Sequence, residues 1–188
     1  MQSRSISMPL GIVVRKTPGV TRWAKWHWQA VAVMPGAAQE SWRELRRDGD
    51  AVEYHAATVD LELWRTDAEA YLTGLSTRVP SIYVVLREAT DPDTPHAVEV
   101  LLATASPYDA QDYADSGEEI VDLVPMSEPL MAWVREFVDA HYEEERFVKR
   151  KRDKKRIDRV DDGIGDARIS QMSDVYRAPT RPKNEPIH

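Results

Sequence analysis

The 188-residue chain contains no cysteine. That absence excludes disulfides, thiolate ligation of zinc or iron–sulfur clusters, and a cysteine nucleophile. It also lacks any apolar run approaching the roughly 20 residues that a membrane-spanning helix needs. The opening "MQSRSISMPLGIVVRK" offers only a short apolar stretch before Arg15 and Lys16, so no secretory leader is expected, and cytoplasmic residence is the simplest expectation. Glycine is scarce, with eight against twelve prolines. The glycine-dependent nucleotide and nucleophile patterns are missing: there is no G-x-x-x-x-G-K-[ST], no G-x-G-x-x-G and no G-x-S-x-G. The pair Gly163-Ile164-Gly165 has no strand before it. The histidines His27, His55, His96, His141 and His188 show no H-x-x-x-H or H-E-x-x-H spacing, so neither a metal site nor a catalytic residue is nominated.

What is present begins with an uneven charge. From Arg146 to Arg159 nine Lys/Arg stand against Asp153 and Asp158, a local +7, while the remainder carries sixteen basic against thirty acidic residues, or −14. An acidic body followed by a basic extension is the reading. Such a block is first a solvated segment and second a contact for acidic partners or nucleic acid. Nucleic-acid binding through it ranks third among the functional readings, because the body would oppose phosphates at long range.

The periodicities describe an α+β domain over 1–145: a mostly antiparallel sheet of about six strands with two or three helices packed on it. A basic helical extension over 146–160 and a disordered tail over 161–188 follow. Leu10, Ile12 and Val14 alternate as in a strand, Pro18-Gly19 marks a turn, and Trp26, Trp28, Ala30 and Ala32 share one strand face. Asp48-Gly49 is a hairpin signal. After it Val52, Tyr54 and Ala56 share one parity and Ala57, Val59, Leu61 and Leu63 the other, which predicts a bulge or break near Ala56. Thr66-Asp67-Ala68-Glu69 has the form of a capping box, opening a helix through Tyr71 and Leu75. "SIYVVLRE" and "AVEVLLATA" are apolar enough to predict two central strands. Ser106-Pro107 predicts a short helix through Tyr113. Ser127 caps a last helix with Leu130, Val134, Phe137 and His141 on one stripe.

Two stretches carry candidate binding chemistry. In "RWAKWHWQAVAV" the rings of Trp26 and Trp28 stand side by side, either as a stacking platform or as the packed face of a sheet. With His27 and His55, which could meet near Glu53 if their strands were neighbours, they form a candidate ligand site. The core reading predicts Trp28 buried against the helix of Leu130, Val134 and Phe137. "SPYDAQDYADSGEE" gathers Tyr108, Asp109, Asp112, Tyr113, Glu118 and Glu119. Its spacing does not fit a calcium loop, and an acidic patch that docks a basic partner is the expected role. Lys149, Arg150, Lys151 and Arg152 form a second candidate contact.

"MPLGIVV" with "RWAKWHWQAVAVMPG", "TASPYDAQDYADSGEEIVDLVPM" and "AWVREFVDAHYEEERFVKRKR" resemble a bacterial family catalogued as domain of unknown function 3305, over roughly residues 8 to 155. The resemblance implies a setting beside molybdenum-dependent formate dehydrogenase, and some members are labelled molybdopterin-guanine dinucleotide biosynthesis proteins. It transfers no catalytic residues. A guanylyltransferase of that kind should open with a glycine-rich loop after its first strand, whereas "LGIVVRKTPGVTRW" has only Pro18-Gly19. The expectation is therefore a non-catalytic accessory protein in maturation of the dehydrogenase or its cofactor. Its expected partner is a formate dehydrogenase subunit or a cofactor-maturation protein, without a membrane. Binding of molybdopterin-guanine dinucleotide or a guanine nucleotide by a cofactor-handling enzyme is the alternative.

Overall fold

The computed structural model describes residues 4–21, 24–91 and 93–142. The segments 146–160 and 161–188, with Lys149 to Arg152, lie outside the described residues.

Strand β1 (Ser5–Pro18) alternates so that Ile6, Met8, Leu10, Ile12 and Val14 share a face, and the last three are fully buried. It is flanked by β2 (Trp26–Pro35) and β4 (Ala51–Trp64), both antiparallel to it, and β3 (Ser41–Asp48) pairs with the far side of β4. A second antiparallel sheet has the order β6 (Val98–Thr104), β5 (Ser81–Glu88), β7 (Ile120–Pro125). The expected single sheet of about six strands is thus replaced by two, of four and three strands. Their flanks meet, β4 beside β6 and β2 beside β7, so the inner faces share one core. β5 is central as expected, whereas β6 ends its hydrogen-bonded sheet. Its apolar character follows from being covered by β4 and not from a second ladder.

Bulges interrupt both ladders of β1. β1 pairs Ile12 with Ala57 but Val13 with His55, leaving Ala56 as the extra residue where the apolar phase changes. A second extra residue, Val31, lies between the pairs Val13–Ala32 and Val14–Ala30. Each such insertion increases local twist. The β3–β4 hairpin closes through Gly49 and Asp50, one residue later than the Asp48-Gly49 signal, with Gly49 at φ 57°.

Among the described residues three helices complete the fold. Arg65–Asp67 form a 3₁₀ turn that leads into α1 (Ala68–Leu75), whose N-cap is Asp67 without a side-chain cap bond. The expected Thr66–Glu69 capping box is therefore not formed: the tight turn already places the chain in the helix. α2 (Pro107–Ser116) starts as expected, with Ser106 Oγ accepting from the Asp109 amide at 3.2 Å, and runs one turn further, to Gly117 at φ 71°. α3 (Glu128–His141) buries Leu130, Val134, Phe137 and Val138; Ser127 sits at its N-cap but makes no side-chain cap bond.

Candidate functional site

A groove of about 460 Å³ runs where the end of β4 meets β6 and α2. The alternation of "VDLELW" explains its first wall. Leu61 and Leu63 are fully buried, so Asp60, Glu62 and Trp64 take the opposite face, where Trp64 is 45% exposed. The second wall comes from α2, which presents Asp109, Asp112 and Tyr113, and Leu102, Ala103 and Thr104 of β6 lie between. Tyr71 reaches the groove from α1. Its hydroxyl oxygen accepts the Trp64 backbone N–H at 3.0 Å, and burial pushes its pKa up to about 12.

The groove's carboxylates are held but not neutralised. Thr104 Oγ1 donates to Asp109 at 3.1 Å and the Trp64 indole N–H donates to Glu62 at 3.2 Å. Among the described residues, the ion pairs are Arg15–Glu53, Arg43–Glu40, Arg47–Glu44 and Arg87–Glu99, so Asp60, Glu62, Asp109 and Asp112 have no cationic partner. Four acidic groups beside an exposed indole and a tyrosine ring suit a cationic side chain. A guanidinium can bond carboxylates in a fork while its plane lies on a ring.

Of the α2 residues nominated from sequence, Asp109, Asp112 and Tyr113 thus join the groove. Tyr108 points elsewhere, its hydroxyl 3.4 Å from that of Thr73 on α1. Glu118 and Glu119 follow the helix, where Glu119 is bonded to Ser116 by a short hydrogen bond. Sequence reasoning missed Asp60, Glu62 and Trp64. Their shared strand parity, opposite to the leucines, was the available signal, but nothing local placed that face beside α2.

The tryptophan face resolves differently. Trp28 is 7% exposed and pairs with Lys16 on β1. Its ring meets Trp42 edge-on at 5.7 Å, stacks with Tyr54 at 6.3 Å and meets His96 edge-on at 5.9 Å. Burial is as expected, but these rings, rather than the α3 stripe, surround it. α3 sits near Ile6, ten residues away along β1 or about 33 Å at strand rise. The Lys16 ammonium lies 4.1 Å from the Trp26 ring centre and 5.3 Å from that of Trp28.

Neither histidine shares this face. His27 is exposed on the outer side of β2, paired with Thr17, while β1 separates it from β4 and His55. The expected meeting of His27 and His55 near Glu53 is therefore absent, because their strands are not neighbours. His55 is buried beneath the crossing from β2 to β3: Thr58 Oγ1 donates to Ala38 O at 2.7 Å and lies 2.9 Å from His55 Nε2. With the hydroxyl proton committed to the carbonyl, Nε2 carries the hydrogen and donates. Among the described residues no three His, Asp or Glu side chains converge as a metal-ligand set, and no helix is long and apolar enough to cross a membrane.

Trp42 has φ 51°, the only positive value at a described residue other than glycine. The left-handed region costs an L-residue roughly 1–2 kcal/mol. Three ring contacts offset this: a parallel stack on His96 at 3.9 Å, and edge contacts with Trp28 at 5.7 Å and Tyr54 at 5.8 Å. Each such pair contributes about 0.5–1.5 kcal/mol, so the cluster can hold the strained backbone.

Comparison with known proteins places residues 9–151 on a protein-family model described as "Protein of unknown function (DUF3305)". No curated protein and no solved structure matches.

Proposed function

The chain belongs to the DUF3305 family of unknown function, and from that premise and the acidic groove we propose that it is a non-catalytic accessory protein that docks a basic segment of a protein partner. The observation that carries this reading is the set of carboxylates Asp60, Glu62, Asp109 and Asp112, without an ion pair among the described residues and arranged beside exposed Trp64 in one groove. A groove lined by carboxylates presents a negative surface that a cationic side chain complements on binding. The arginine-bearing segment of the partner would place its guanidinium between the β4 and α2 walls. The finer setting follows the family resemblance: maturation of a molybdenum-dependent formate dehydrogenase or its molybdopterin cofactor, with a dehydrogenase subunit or a cofactor-handling protein as the partner.

Affinity capture from native cells, using the full chain as bait, tests this setting. Recovery of a formate dehydrogenase subunit or a cofactor-handling protein is expected. Recovery of neither, from cells expressing the dehydrogenase, contradicts it.

A further inference from the structure

The β5–β6 loop, 89–97, is tied firmly at its base. The Ala89 amide donates to Ala97 O at 3.0 Å, and Glu99 Oε1 accepts from Arg87 Nε and from both the amide and hydroxyl of Thr90. Its ring contacts with the other sheet all run through one side chain, His96. That imidazole lies flat on Trp42 of β3, with 7° between the planes, and touches the edges of Trp28 and Tyr54. Its Nδ1 is buried with no hydrogen-bond partner. Trp42, the residue it lies on, has the strained backbone described above, which persists only while its surroundings hold it.

We propose that the His96–Trp42 stack is a proton-operated clasp: neutral His96 holds the 93–97 end of its loop against β3, and protonation releases that end and uncovers the Trp28, Trp42 and Tyr54 rings.

The groups facing the imidazole determine the direction. From β1, the Lys16 ammonium opposes a second positive charge. β3 and β2 contribute uncharged indoles, and β4 contributes the Tyr54 phenol. Two carboxylates, Glu88 at the end of β5 and Asp91 in the loop, line together with His96 a hollow that opens to solvent. A ring face attracts a cation, but Lys16 already occupies the faces of Trp26 and Trp28. A protonated Nδ1 would add a buried charged donor without an acceptor, the more costly arrangement. In agreement, burial first and Lys16 second hold the imidazole below its ordinary pKa. A histidine so depressed supports the closed state above about pH 6.5 and loses that support as pH falls through the folded-state value.

Iodide quenching of tryptophan fluorescence in the full chain, between about pH 8 and pH 5, reads the opening. Accessibility is expected to rise on acidification along a one-proton curve. His96→Phe keeps a flat ring on Trp42 without a titrating group and should give a flat profile. Lys16→Met should move the wild-type midpoint to higher pH by removing the repulsion. A flat wild-type profile overturns the clasp, as does a wild-type curve retained in a folded His96→Phe variant. Should that variant not fold, an unmoved midpoint in Lys16→Met overturns it equally. This test does not depend on the groove or its partner.

Discussion

Trp28 shows how a residue's role is set by neighbours that its own sequence context does not contain. Its burial could be read from small Ala30 on the same face, but its ring partners Trp42, Tyr54 and His96 come from three other segments. Trp28→Ala removes a large buried ring and should cost roughly 3–5 kcal/mol, measured as a lowered urea midpoint. A loss near zero would mean the ring is not part of the core. Tyr71→Phe is a gentler change of one atom. It leaves the Trp64 N–H without its acceptor, and a loss of about 1–3 kcal/mol is expected. Asp122 gives a pH signature. Its Oδ2 accepts the Ala30 amide at 2.7 Å across the β2–β7 flank, yet burial raises its pKa. The unfolded chain therefore releases this proton first, and stability falls as pH rises from the ordinary carboxylate range, about 4, through the raised folded value. Asp122→Asn should remove that slope in urea melts at a series of pH values, and an unchanged slope would assign it to another group.

At the scale of elements, regular segments were legible and their neighbours were not. Alternation located the phase change at Ala56, and the stripe Leu130–Val134–Phe137 identified the buried side of α3, because both patterns are local consequences of strand and helix period. The capping box failed since Arg65–Asp67 take a 3₁₀ turn instead. The acidic half of the groove on α2 was visible as a cluster, whereas Asp60, Glu62 and Trp64 became relevant only when β4 met β6 and α2 in space. His55 was likewise readable as a strand residue but not as the support under a loop. The crossing from β2 to β3 depends on that support and on a bare Gly11: a Cβ there would lie 2.7 Å from His55 Nε2 and 2.8 Å from Ala37 Cβ. Gly11→Ala should destabilise by about 1–3 kcal/mol through overpacking, checked by the thermal midpoint. An unchanged midpoint would show that the crossing shifts freely.

For the whole molecule, the arrangement of charge carries the functional argument. The inner faces of two sheets supply stability, leaving the outer end of β4 and the flank of α2 to hold in one groove four carboxylates that form no ion pair among the described residues. Replacing them with Asp60→Asn, Glu62→Gln, Asp109→Asn and Asp112→Asn keeps the side-chain shapes at a solvent-lined groove and should leave the fold intact. Paired affinity capture from native cells, with the full wild-type chain and this fourfold variant as baits, tests the central claim most directly. The wild-type chain should retain a formate dehydrogenase subunit or a cofactor-handling protein, less so as salt rises, and the folded variant should lose it. Equal retention by both baits would contradict the groove as the docking surface.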